Sequence, residues 1–412
     1  MGLLMTSRDR TASWLRVVAV TAAAALTAVG CGSDAVQGSA TTATPTSSTS
    51  SGGVDVASLD VGNYPTTPGP PLGTAGTEFK GKLLQARELA NFVVGPWEID
   101  PGLLKTWTRY SGLVLKSADA LNLIEPKAVA AAAGRHPFVN GFYSARSDDQ
   151  TVLINAVVRF TDPAAATAAA GEMVQAALDE PASGATRSPV TIPGHSDAQA
   201  SSYPFTDVLT HREKASVNAF TAHGAYVLVQ AVQSYDGLEA ARGLVAKTLD
   251  AQKPLVDQFT PAAPADFAAL PLDPTGLLAR TILLSPKEAN VVQNSTYDVR
   301  GALHFQSDPV DSAQLLADAG VDVVVSGKTT VYRATNPAGA ASVVDGFAKQ
   351  VTGATGKPAA PVPGLPASKC VSASELFYCV GSVDRYVVDA SSGQLQDAQQ
   401  QIAAQYAILS SS

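Results

Sequence analysis

A four-residue signature, Thr161-Asp162-Pro163-Ala164, recurs as Thr335-Asn336-Pro337-Ala338, each time between a β-forming run and an alanine-rich stretch. An Asp or Asn side chain can accept a hydrogen bond from the free N–H groups that open a helix. Proline at the first helical position loses nothing by lacking an N–H. Each copy therefore marks a junction from strand to helix. TVLINAVVRF (151–160) precedes the first copy, and strands at 321–325 and 329–333 precede the second. The helices that follow run to about residue 178 and about residue 351. A later strand and closing helix complete each half, at 225–232 with 237–256 and at 385–389 with 394–409. Two copies are too few for a solenoid. The pattern instead predicts an α+β protein of two related modules, each an antiparallel sheet packed with alanine-rich helices. The domains expected are 54–260 and 267–412, separated in the proline-bearing stretch QFTPAAPADFAALPLD.

The first 53 residues do not belong to that pattern. Arg8, Arg10 and Arg16 precede an uncharged run at 17–29, which is too short to cross a hydrocarbon layer of about 30 Å comfortably. Ala28, Val29 and Gly30 supply the small residues a signal peptidase needs, and Cys31 follows at once. The pattern resembles a bacterial lipobox, with Ala28 where leucine is most common. Residues 1–30 thus read as a lipoprotein signal peptide, with Cys31 as the first mature residue. Its thiol is the nucleophile that takes up a diacylglycerol, and two acyl chains suffice for stable anchoring. An ordinary secretory signal followed by a chance cysteine is the alternative, and the placement of Cys31 directly after the small-residue triplet argues against it. Residues 31–53, rich in Ser, Thr, Ala and Gly, offer too little apolar surface to offset their ordering entropy and read as a tether. The expected location is the extracytoplasmic face of a cell membrane.

Charge narrows the partners. The leader holds three arginines and one aspartate, so the remainder carries 25 basic against 35 acidic side chains, a net of −10. No basic block appears, which argues against nucleic acid. Of the three cysteines, Cys370 and Cys379 remain as an even pair once Cys31 is assigned to lipid. Outside the cytoplasm that pair is expected as a disulfide. A metal site is the weaker alternative, because two thiolates without a nearby histidine fall short of a zinc shell.

No catalytic, metal or cofactor constellation emerges. Gly194-His195-Ser196-Asp197-Ala198 approximates the G-x-S-x-G nucleophile elbow, yet Pro189 and Pro193 break the strand that motif requires and no helix follows. Ser326-Gly327-Lys328-Thr329 approximates the end of a P-loop, but Asp322 stands where its first glycine belongs, so a turn between two strands is expected. The five histidines lack metal-ligand spacing. Trp97, Trp107 and Tyr110 could line a pocket, and their spacing among leucines favours packing. The segment VDVASLDVG alternates as a half-buried strand does.

The lipobox, the tether, the opening VDVASLDVGNYPTTPGPP, the T-D-P-A helix start and the Cys370/Cys379 pair together resemble a family of mycobacterial and nocardial lipoproteins. That family is defined by a domain of unknown function with distinct N- and C-terminal parts. The resemblance implies a cell-envelope location and an α+β build, and it supplies no catalytic residues. The expectation is a membrane-anchored, non-enzymatic lipoprotein that binds an envelope lipid, glycan or protein. The alternatives are an envelope ester hydrolase using Ser196 and an accessory or sensor subunit of an envelope complex.

Overall fold

The computed structural model describes residues 53–107, 110–180, 185–354 and 356–411. The leader, Cys31 and all of the tether but its last residue lie outside the described residues.

The first half opens with α1 (Glu78–Leu89) and α2 (Pro96–Ile99), followed by β1 (Lys105–Thr106) and β2 (Gly112–Leu115). A 3-10 turn over Ala118–Leu123 leads into α3 (Lys127–Ala133). Then come β3 (Phe138–Ser147), β4 (Thr151–Phe160), α4 (Pro163–Asp179), β5 (Ser188–Ile192), β6 (His195–Thr206), β7 (Glu213–His223), β8 (Tyr226–Ser234) and α5 (Leu238–Val256). The second half has β9 (Ser295–Tyr297), α6 (Val299–Leu303), α7 (Pro309–Asp318), β10 (Val323–Ser326), β11 (Thr330–Arg333) and α8 (Pro337–Ala354). It closes with β12 (Lys357–Ala359), β13 (Lys369–Ala373), β14 (Leu376–Val383), β15 (Tyr386–Ser392) and α9 (Leu395–Ser410).

Both sheets are antiparallel and have one plan. The first runs β1-β3-β4-β8-β7-β6-β5, with β2 also on β3, and the second runs β12-β13-β14-β15-β11-β10-β9. Matching β3-β4 to β10-β11, α4 to α8, the β5–β8 meander to β12–β15 and α5 to α9 superposes the two orders strand for strand. Register agrees, since Arg159 faces Tyr226 in the first sheet and Arg333 faces Tyr386 in the second. The repeated signature caps equivalent helices. The Asp162 carboxylate accepts from the Ala165 N–H at 2.9 Å and the Asn336 side chain from the Gly339 N–H at 2.9 Å. Alanine suits α4 on two counts, as the best helix former and as a side chain small enough for close approach to the sheet. Ala166, Ala169, Ala170 and Ala177 are fully buried there.

Helices cover both faces of the first sheet, so all ten residues of β4 are buried. A strand buried on both sides reads as a continuous apolar run, as TVLINAVVRF does. The alternation in VDVASLDVG has a different cause. That stretch holds a 3-10 turn over Val56–Ser58, capped by Asp55, and no strand; its Leu59 plugs the core of the second half.

One hydrophobic core cluster joins the two halves, from Ala86 and Phe142 to Leu303, Tyr332 and Val387. At their junction His304, just past α6, is fully buried in the first half. Its Nε2 meets the Ala90 carbonyl at 3.0 Å and its Nδ1 meets the Ser144 hydroxyl at 2.9 Å. A carbonyl only accepts, so Nε2 carries the proton and Nδ1 accepts from Ser144. Arg146, also fully buried, donates to the carbonyls of Leu104, His304 and Gln306. Trp97 closes the group, edge-on to the His304 ring at 5.2 Å with the Arg146 guanidinium 5.6 Å from its own ring. Among the described residues no helix is long and apolar enough to cross a membrane.

Candidate functional site

Helix α4 packs chiefly on β7 and only lightly on β4. Over the Val152–Ile154 end of β4 lie residues 122–126, which run from the end of the 3-10 turn to the start of α3, and residue 187, ahead of β5. Between them and the sheet lies a cleft of about 290 Å³. Its floor is Val152 and Ile154 of β4, Ala231 and Gln233 of β8, and Ser216 and Asn218 of β7.

Two ionisable side chains meet in this cleft. Glu125 is 6% exposed, and the Asn218 amide donates to its two carboxylate oxygens at 3.1 and 2.9 Å. Desolvation pushes its acid up to about 7, against the opposing pull of the Asn218 hydrogen bond and the Arg187 charge. The Arg187 guanidinium carbon lies 4.1 Å from the Tyr203 ring centroid, a cation–π contact. Both Nε and Nη1 of Arg187 are buried without a hydrogen-bond partner among the described residues. Buried donors of a charged group are costly when unpaired. Trp107, at the mouth, is 37% exposed, and Leu123 beside it is 51% exposed.

In the second half the position matching Asn218 is Tyr378, five residues before the β14–β15 turn as Asn218 is before the β7–β8 turn. Its hydroxyl turns to Asp389, which Tyr332 also contacts at 3.0 Å. Burial lifts the Asp389 acid to about 6. The duplicated sheets thus carry an amide facing an open cleft in one half and an aromatic side chain on a buried carboxylate in the other.

The residues singled out from sequence are dispersed. Cys31 lies outside the described residues. Cys370 and Cys379 face each other across β13 and β14 and form a disulfide with S–S 1.98 Å. Ser196 is an exposed residue at the start of β6, just after the Pro193-Gly194 turn that joins it to β5. A strand, not a helix, follows it. Its neighbour His195 points the opposite way, with Nε2 3.0 Å from Asp250 and Nδ1 3.2 Å from the Lys253 ammonium of α5. Lys328 sits in the β10–β11 hairpin turn. Among the described residues no three His, Cys, Asp or Glu side chains converge as metal ligands. The aromatic trio separates: Trp97 is packed at the junction of the halves, whereas Trp107 lines the cleft, where packing was the expected role.

Glu125, Asn218, Arg187 and Tyr203 carry no local motif. Only the sheet brings residues 107–233 together, and the single clue in the chain was Trp107.

The architecture is that of a duplicated α+β protein with a polar cleft in its first half. The chain belongs to the family described as domain of unknown function DUF7373, whose N-terminal part matches residues 72–272 and whose C-terminal part matches residues 277–412. Among solved structures, it is similar to the extracellular domain of PknH from Mycobacterium tuberculosis at 14% identity. That similarity covers 36% of this chain and 79% of the other, with a TM-score of 0.24. No match is found among curated proteins.

Proposed function

We propose that this protein is a non-enzymatic lipoprotein of an actinobacterial cell envelope, anchored through Cys31 on the extracytoplasmic face, which binds a small ligand in the Glu125–Arg187 cleft. The observation that carries the binding role is the pairing, in one cavity, of a desolvated carboxyl group with buried guanidinium donors that lack a partner. Such groups cost stability unless a partner completes them, and their meeting in a cleft supports a binding role. The Cys370–Cys379 disulfide supports an oxidising compartment, and the leader before Cys31 supports the anchor. A tether of some twenty residues would hold the cleft near the membrane at high effective concentration.

The anchor is tested by metabolic labelling with a palmitate analogue in the native host. Label in the wild-type protein and none in Cys31→Ala is the expected result, and label retained in Cys31→Ala would sink the assignment. The non-enzymatic reading is tested with a fluorophosphonate probe. The neighbouring His195 is engaged by Asp250 and Lys253 rather than by Ser196, so no labelling is expected. Labelling abolished by Ser196→Ala would establish the hydrolase instead.

A further inference from the structure

Resting on the reading of the cleft as a ligand site, we propose that its ligand is a small carboxylic acid, bound with the carboxylate on Arg187 and the body of the molecule between Trp107 and the β7–β8 floor.

The unmet hydrogen-bonding capacity is that of a donor. Nε and Nη1 of Arg187 need acceptor oxygens, whereas Glu125 already receives the Asn218 amide on both of its own. A ligand must therefore bring acceptors rather than a further ammonium or guanidinium group. The cation–π contact with Tyr203 restrains the guanidinium, so less conformational freedom is lost when an anion docks. A carboxylate forms short, charge-assisted bonds with arginine and carries a single charge. A phosphate monoester would bring nearly two negative charges against Glu125 in a desolvated cavity, and that repulsion disfavours it.

Size and lining define the rest of the molecule. At about 30 Å³ for each water-sized group, a cleft of about 290 Å³ holds on the order of ten non-hydrogen atoms. Ser216 and Gln233 offer hydrogen bonds on the sheet side, while Leu123 and Trp107 offer apolar surface at the mouth. The ligand has one polar and one apolar edge.

Glu125 gives the site a second signature. Besides Arg187, Tyr203 is the other titratable side chain lining the cleft. An arriving carboxylate raises the proton affinity of Glu125, which already titrates near neutrality, so binding takes up a proton and weakens as pH rises from 6 to 8.

The test is ligand-observed NMR on the full-length protein in detergent with acetate, benzoate, hippurate and N-acetylleucine, each paired with its primary amide. At least one acid is expected to bind tenfold or more tightly than its amide. That preference should be lost in Arg187→Gln and partly kept in Arg187→Lys, with circular dichroism confirming that both variants fold. In Glu125→Gln the affinity for the acid should no longer change between pH 6 and pH 8. Amides binding as well as acids, or an acid preference that survives Arg187→Gln, would overturn the carboxylate assignment and leave the cleft as a site of other chemistry. No binding by any acid or amide would remove this proposal. Whether the cleft-binding reading falls with it is decided by the same measurement on neutral polar and cationic fragments: binding there keeps the cleft, and silence removes both.

Discussion

Gln252 of α5 and Gln405 of α9 do the same work in the two halves. In the first half the Gln252 side-chain oxygen accepts from the Val94 N–H at 2.9 Å and the Asn155 amide at 2.7 Å, and its NH₂ donates to the Phe92 carbonyl at 2.8 Å. In the second half the Gln405 oxygen accepts from the Ile282 N–H at 2.7 Å and the Thr329 hydroxyl at 2.8 Å, and its NH₂ donates to the Arg280 carbonyl at 2.6 Å. Asn155 of β4 and Thr329, the residue just before β11, each lie four residues before the matched arginines, so the partner's place in the chain is equivalent too. A closing helix thus clamps an irregular segment onto its sheet with one amide, twice.

Replacing either glutamine by leucine keeps the volume and orphans a backbone N–H, a carbonyl and a side-chain donor. Each buried polar group left unmet costs about 1–3 kcal/mol. Gln252→Leu and Gln405→Leu should each lower stability by about 3 kcal/mol or more in urea titrations. A loss within error of zero for both would show that the clamp carries no stability.

That clamp also marks where reading the chain stops. Strands β4 and β8, both junctions with alanine-rich helices and the closing helices follow from local periodicity and capping chemistry, and all stand within a few residues of expectation. Strand β3 does not. FVNGFYSARS sets Asn140, Ser144 and Arg146 among its apolar residues, and those side chains take hydrogen-bond partners at Lys82, His304, Leu104 and Gln306, far away in the chain. Partners at such separation leave no trace in a local window. Glu125 was invisible for the same reason, since its burial depends on β7, more than ninety residues away.

The disulfide tests a second aspect of the fold. Cys370 and Cys379 are nine residues apart, and closing a loop of that length restricts the unfolded chain by about 2–3 kcal/mol in the chain-entropy description. Both sulfurs are buried beside Val331 and Ile402 in the core of the second half. Peptide mapping without reductant should recover the two cysteines in one crosslinked peptide. The Cys370→Ala/Cys379→Ala double variant should unfold at lower urea by about that amount. Two free thiols in protein exported by its host would contradict the pairing.

His304 predicts acid lability at the junction of the halves. Burial, opposed by its hydrogen bond to the Ala90 carbonyl, holds the imidazole down to about 3, against an ordinary value near 6.5. The unfolded chain therefore binds the proton first as pH falls. Stability contributed by the neutral ring is complete above about pH 6.5 and is lost progressively below it. At pH 5 the loss is on the order of 2 kcal/mol from this residue. His304→Gln retains a donor and an acceptor but no titration, so its stability should fall less steeply between pH 7 and pH 5. Parallel slopes for variant and wild type would remove His304 as the cause.

Glu125 predicts the opposite sign. Its folded acid is raised to about 7 from an ordinary 4.5, so between those values the folded chain binds more protons than the unfolded one. Stability from this group is present at low pH, declines as pH rises through that window and is absent above it. Glu125→Gln keeps the shape and removes the charge. It should leave stability nearly unchanged at pH 4 and raise it at pH 8, by at most on the order of 3 kcal/mol. A group that weakens its own fold at neutral pH, in a position glutamine could fill, is what the proposed role of the cleft would account for. If Glu125→Gln were equally stable at both pH values relative to wild type, the carboxylate would be solvated and the cleft would lose the feature that singles it out. A gain confined to high pH would tie the cost of Glu125 to its ionised form, the one that Arg187 faces.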